Sequence, residues 1–413
     1  MKSSFLKILV FFLASFSLNA LASDEVVRDI TCSQRWPWNG KVDIKYTLLK
    51  TTSKTSPVFS VKFYGQIEDG EPFKLKTLEN AAATGIVFGD GEKITTWDAA
   101  ADFGTTINSE DVKIAIVAED ITEEATYLKL DLTTYKMTTS TVGPDVSSNA
   151  PSKYAELWLK RIEPGTFIMG SATNESGRVS TVNREAEHRV TITKAYYIGV
   201  FELTAGQYNR INDNGTSTAV TPQGGLTYDA LRGTNYGATW PVPNDHRVDA
   251  TNFFGKLRAK TGNGLLFDLP TESQWEMASR WKGTTGNGTN DYYGSCYWNN
   301  GVKFDSSFNG LEDVAWFALN SGGTLNEVGL KEASTSGLYD MHGNADEWCL
   351  DWMAASTTED VIDPEGPKTG VGTRVVRDGC YPLSAGFCRI AIRRYDRPDY
   401  DYEYHGCRVA LVP

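Results

Sequence analysis

The sequence predicts an α+β protein in two parts, an antiparallel β-sandwich followed by a domain with little regular secondary structure. Three observations predict it. Alternating apolar and polar residues recur in short runs over roughly the first third of the chain. A stretch rich in Ser, Thr and Pro then breaks the pattern. Beyond it, a few amphipathic helical segments stand among long Gly-, Asn- and Asp-rich passages.

The chain begins "MKSSFLKILVFFLASFSLNALAS", with Lys2 and Lys7 ahead of a short apolar run and Ala20-Leu21-Ala22 as a small-residue cleavage site. This reads as a signal peptide over residues 1–22 that is cleaved on export, so the mature chain is expected outside the cell or in a periplasm. The apolar run is too short for a comfortable membrane span, and no later run of about 18 apolar residues follows. With 40 basic and 52 acidic residues the net charge is −12. An acidic chain without a basic tract is a poor partner for nucleic acid or anionic lipid.

Residues 24–134 supply the sandwich. "KVDIKYTLL", "PVFSVKFYGQI", "DVKIAIVAE" and "TYLKLDLTT" alternate and favour β-branched and aromatic side chains, with "NGK", "EDGEP" and "GDGEK" as turns. Asp98 and Asp102 of "WDAAAD" form an acidic pair that reads as a solvated turn. Residues 135–155, containing "TTSTVGPDVSSNAPSK", read as a linker. In residues 156–413, "TAGQYNRIN", "DATNFFGKLRAKTG" and "TESQWEMASRW" are helical, the last starting just after Pro270 at Thr271. So much irregular chain needs staples, ions or aromatic anchors. Most of the 11 tryptophans fall in this part.

Five blocks here come in a recognisable order: "RIEPGTFIMGS" (161–171), "EHRVTITKAYYIGVFELTAGQYNRI" (187–211), "FDLPTESQWEMASRW" (267–281), "GLYDMHGNADEWCLDW" (337–352) and "RVVRDGCY…CRIAIRR…GCRVAL" (374–411). Together they resemble the formylglycine-generating enzyme family, the sulfatase-modifying-factor domain. The resemblance implies a variant C-type-lectin-like fold.

It also implies sites. Two carboxylates and backbone carbonyls suit calcium, and the family places a calcium site at the positions of Asp340, Gly343, Ala345 and Glu347. The family's oxidases bind Cu(I) between two cysteines and convert a cysteine of a sulfatase to formylglycine. On that pattern Cys388 falls at the second cysteine, but Leu383 stands at the first. Cys380 takes the place of a serine, Asp378 that of a glycine, and Asp346 that of an aromatic. Leucine cannot ligate copper, and Cys380 with Cys388 changes the spacing. The expectation is therefore loss of the oxidase chemistry. A calcium-stabilised binding module remains, with an active copper oxidase on exported sulfatases as the alternative.

Six cysteines in an exported chain are expected to form disulfides, with 15 pairings open. The resemblance brings the strands of Cys380 and Cys407 together as one bridge and pairs Cys349 with Cys388, leaving Cys32 and Cys296. Tyr400, Tyr402 and Tyr404 alternate with acids in "RRYDRPDYDYEYHG". If extended, the three rings share a face that can stack on sugar or peptide. The four histidines have no metal-site spacing, and glycosylation triplets occur at Asn174, Asn214 and Asn287.

Overall fold

The computed structural model describes residues 7–9 and 26–411 apart from 36–38, 52, 69, 81–82, 105–110, 174–177, 179–183, 234–246, 263, 281–290, 293–297, 300–301, 304–309 and 368–371. Most of the expected signal peptide, His246, Cys296, Asn174 and Asn287 lie outside the described residues. The chain divides into two compact units, the second beginning at Thr126.

In the first unit, one sheet holds β2 (Val27–Gln34), β3 (Lys41–Leu48), β8 (Gly91–Asp98) and β6 (Leu78–Glu79). The other holds β1 (Lys7–Leu9), β9 (Asp111–Asp120), β4 (Val58–Ile67) and β5 (Phe73–Lys74), with β7 (Gly85–Phe88) also on β4. All pairs are antiparallel except β1 with β9. Alternation places Val42, Ile44, Tyr46 and Leu48 of β3 in one core with Phe59, Val61, Phe63 and Trp97, because successive side chains of a strand face opposite ways. Asp98 and Asp102 are more than a solvated turn. Asp98 caps helix α1 (Ala99–Phe103), and Asp102 accepts from the amides of Lys76 and Thr77 and from Trp97 Nε1.

The second unit is strand-rich with short helices. Its largest sheet runs β11 (Met137–Ser140), β10 (Tyr127–Asp131), β12 (Glu156–Ile162), β15 (Tyr196–Gly199), β25 (Ala410–Leu411) and β16 (Phe267–Asp268). This corrects the expected boundaries. "TYLKLDL", read as the end of the sandwich, is β10 and pairs with β12 over five positions. β11 and a 3-10 turn at Pro151–Lys153 occupy the expected linker. A second sheet joins β17 (Asp291–Tyr292), β13 (Gly165–Met169), β14 (His188–Ile192) and β21 (Val361–Ile362), and β18 (Trp298–Asn299) pairs with β19 (Val302–Lys303).

The third sheet carries most of the chemistry, in the order β23 (Arg394–Asp396), β22 (Arg374–Arg377), β20 (Asp346–Trp352) and β24 (His405–Gly406). The helices are α2 (Ala205–Ile211), α3 (Tyr228–Arg232), α4 (Phe253–Lys260) and α5 (Glu272–Ser279). Reciprocal capping boxes, Thr204 with Gln207 and Thr271 with Gln274, start α2 and α5, so two orphan amides are satisfied at each start. Among the described residues no helix is long and apolar enough to cross a membrane.

Candidate functional site

The segment "DMHGNADEW" turns sharply before it becomes β20. Asp340 and Asn344 adopt φ of 54° and 72°, and Gly343 has φ of 127°. A Cβ on Gly343 would lie 2.3 Å from the carbonyl of Trp316, so only glycine fits there. This turn and its surroundings bury four carboxyl groups, those of Glu202, Asp340, Glu347 and Asp378.

The cation among them is Arg408. Its Nη2 donates to Glu347 Oε1 at 2.7 Å and its Nε reaches both Glu347 oxygens at 3.0 and 3.1 Å. The same guanidinium donates to the carbonyls of Gly199, Val200, Tyr339 and Asp340 at 3.0–3.3 Å. Trp275 Nε1 completes the shell of Glu347 at 2.6 Å. Asp340 Oδ2 accepts from the Gly329 amide at 2.7 Å. Glu202 accepts from the Ala345 amide and Asn344 Nδ2, both at 2.8 Å, and Asp378 accepts from the amides of Gly343 and Gly379.

The four residues expected to hold calcium therefore do not fit that ion in this arrangement. Calcium wants six to eight oxygens around one point, whereas Glu347 is already taken by Arg408 and Trp275. Among the described residues no three His, Cys, Asp or Glu side chains converge on a metal position. Burial pushes Glu202 and Asp378 well above the ordinary carboxyl range, helped by the negative charges beside each. It pushes Asp340 up to about 6. Burial and acidic neighbours thus oppose the ionised form of these three, against the pull of Arg408 and, at Asp340, of Lys153. Sequence reasoning missed Glu202 and Arg408, and its one available signal was a charged residue inside the apolar run "GCRVAL".

The thiols are not paired. Cys32, Cys349, Cys380, Cys388 and Cys407 are free, all but Cys32 fully buried. The expected Cys380–Cys407 bridge fails on topology. β22 and β24 lie on opposite sides of β20, about 9–10 Å apart at ordinary strand spacing, which exceeds disulfide reach. Cys349 packs with Trp275 and Met277, while Cys388 packs with Leu311, Val314 and Phe317, so these two belong to different clusters. Burial raises the pKa of Cys349, Cys380, Cys388 and Cys407. Burial favours the thiol form of both Cys380 and Cys388, and Asp346 acts on each. Cys380 Sγ lies 3.7 Å from Arg394 Nη1, which pairs with Asp346. Leu383 closes a turn, its amide donating to the Cys380 carbonyl at 2.9 Å, and its side chain has no atom that can ligate copper.

The tyrosines do come together, though not along an extended strand. Tyr402 stacks on Tyr404 with centroids 5.3 Å apart and 8° between planes, and Tyr400 meets Tyr402 edge-on at 5.8 Å. Tyr381 adds an edge to Tyr404 at 6.5 Å. Tyr400 and Tyr402 are 38% and 45% exposed. Beneath them His405 touches both Tyr402 and Tyr404 and, on its other side, Trp348 at 4.9 Å. Burial lowers His405 to about 4, so its approaches of 3.7 and 3.8 Å to Asp346 and Asp396 are not ion pairs at neutral pH. Asp346, pushed up to about 6 chiefly by burial, pairs with Arg394, whose guanidinium lies over Tyr404 at 5.9 Å.

Comparison with known proteins bears on the second unit. The formylglycine-generating enzyme of Thermomonospora curvata is 31% identical over 182 residues, covering 35% of this chain and 49% of that protein. The serine/threonine-protein kinase pkn1 of Chlamydia caviae is 32% identical over 146 residues, covering 34% and 20%. The chain thus spans about half or less of the length of these relatives. Among solved structures, Treponema denticola variable protein 1 aligns with a TM-score of 0.47 and 23% identity, over 66% of this chain and 99% of that one. A family model described as the sulfatase-modifying factor enzyme 1-like domain matches residues 147–412. With that match spanning the whole region that holds Glu202, Glu347, the buried thiols and the tyrosine face, the chain belongs to the sulfatase-modifying factor enzyme 1-like domain family.

Proposed function

We propose that this protein is an exported binding module of its family, without the copper oxidase chemistry, and that it takes its ligand on the tyrosine face. The observation that carries the reading is the exposure of Tyr400 and Tyr402 on a fixed base of Tyr404, His405 and Trp348. Rigid aromatic rings offer large contact area at low entropic cost. Asp401 and Glu403 between them add exposed acceptors. A sugar ring or a peptide is the ligand such a face suits. Leu383 at the first copper-cysteine position supports the absence of oxidase chemistry.

The experiment is a glycan and peptide array probed with the full protein and with Tyr402→Ala. Binding that falls at least tenfold in the variant is the expected result. A blank array, or a variant that binds unchanged, overturns the assignment of the face. Stoichiometric copper uptake by the native reduced protein, with conversion of a sulfatase-derived cysteine peptide, would replace this reading with the oxidase.

A further inference from the structure

A cavity of about 300 Å³ lies where the start of α5, the end of β20 and the loop after β21 meet. None of the tyrosines of the proposed binding face lines it. Met169, Trp352, Val361 and Pro364 supply apolar wall, and Glu272, Glu276, Asp351 and Arg393 supply charge.

Three of those charges are already matched. Glu272 receives Arg393 through Nε and Nη2 at 2.5 and 2.6 Å, and Arg377 at 3.2 Å. Glu276 receives Arg280 Nε at 2.9 Å, the Gly170 amide at 2.8 Å, and Arg377. Arg393 spends its remaining donors on the Ala354 carbonyl and Ser356 Oγ, both at 2.9 Å, and on the Arg184 carbonyl at 3.3 Å.

Asp351 differs. It is 4% exposed, and its Oδ2 accepts from the Glu272 amide at 2.7 Å. Among the described residues no side chain or amide donates to its Oδ1. The loop passes over this oxygen at Gly366, whose φ is 78° and where a Cβ would lie 3.0 Å from Oδ1. A glycine there sets no side chain against the oxygen, and Asp351 and Gly366 both line the cavity. His188 also lines the cavity, with its Nδ1 3.0 Å from the Ala186 carbonyl.

We propose that this cavity binds a compact organic cation, a primary ammonium on a short aliphatic stem, with Asp351 as its anchor. Only one oxygen of Asp351 is available, which disfavours a guanidinium fork that needs two parallel acceptors. An ammonium is a compact point charge, matched to a single carboxylate oxygen. The apolar wall suits a stem of a few carbons, and the volume lies at the small end for ligand pockets.

The charge state of Asp351 supplies a signature. Burial, and then the charge of Glu272, push it up to about 7, against the opposing pull of Arg393 and Arg374. Glu276, Glu365, Arg184 and His188 also line the cavity. An ammonium that requires ionised Asp351 displaces its proton. Apparent affinity scales with the ionised fraction, so binding should tighten about tenfold from pH 6 to pH 8.

The test is calorimetric titration of the full protein with n-butylammonium, butylguanidinium and butyrate, at pH 6 and pH 8, in buffers of different ionisation enthalpy. We expect 1:1 binding of n-butylammonium, release of close to one proton at pH 6, and weaker binding of the other two. Asp351→Asn should bind at least tenfold more weakly. Val361→Phe, which fills the wall and leaves the charges in place, should do the same if the Asn variant does not fold. Absence of amine binding to the wild type, unchanged binding by the variants, or affinity independent of pH overturns the proposal. A fall in the melting temperature of Asp351→Asn without amine binding by the wild type would assign Asp351 to the start of α5 alone.

Discussion

Replacing Arg408 by Met removes the guanidinium that pairs with Glu347 in the cluster of Glu202, Asp340, Glu347 and Asp378 while keeping an apolar stem of similar length. The magnitude follows from what the variant leaves unpaired. Glu347, kept buried without its guanidinium, costs about 3–5 kcal/mol, the usual penalty for breaking a buried pair. The carbonyls of Gly199, Val200, Tyr339 and Asp340 also lose their donor. At about 2–4 °C per kcal/mol for a domain of this size, a loss of about 3–5 kcal/mol is a fall of about 6–20 °C in the melting temperature. Thermal unfolding followed by near-ultraviolet circular dichroism measures it. A fall of less than about 3 °C would refute Arg408 as the partner that holds Glu347 in the core.

Further outcomes can be checked on the same protein. Because a guanidinium holds Glu347, adding a chelator should leave the melting temperature within about 1 °C, well below the effect of a bound structural ion; a clear fall would restore the calcium reading. Asp340 and Asp346 near 6 and Asp351 near 7 bind protons more tightly folded than unfolded. Their contribution is full below about pH 4 and is lost as pH rises through 6–7, whereas His405, lowered to about 4, contributes fully above about 6.5 and loses that as pH falls through 4. The melting temperature should thus be higher at pH 5.5 than at pH 8, and a rise across that interval would contradict the burial of these acids. Thiol titration without reductant should find Cys32, Cys349, Cys380, Cys388 and Cys407 reactive after denaturation, the last four silent in the native state; fewer thiols would mean bridges among them.

What could be read from the sequence was local. The alternation in "KVDIKYTLL" names the buried face of β3, and Thr271 with Gln274 marks the start of α5, because both signals lie within a few residues of what they determine. "TYLKLDL" was equally legible as a strand, yet its partners, β11 and β12, lie within and beyond the stretch read as a linker, and alternation carries no information about partners. The thiols failed for a related reason. Nothing in "RVVRDGC" or "HGCRVAL" reveals that β20 will lie between them.

Calcium and disulfides are the staples the sequence suggests for an irregular domain, and the structure ties this one together with buried guanidinium groups. Arg408 joins Glu347 to carbonyls of four residues from two distant segments, and Arg377 joins Glu272 and Glu276 to the carbonyls of Ile390 and Ile392. Arg389 pairs with Glu185 across 204 positions, and Arg232 pairs with Asp268. The preference has a physical cause. Irregular chain leaves carbonyls without amide partners, and burying them unpaired is costly. A guanidinium offers five donors in a rigid plane and carries the charge that a nearby carboxylate needs. One side chain can therefore satisfy a loop and an acid together, which a disulfide cannot do. In sequence the acid that such an arginine meets lies far along the chain, so the pairing of Arg408 with Glu347 of "DMHGNADEW" could not be read from either segment.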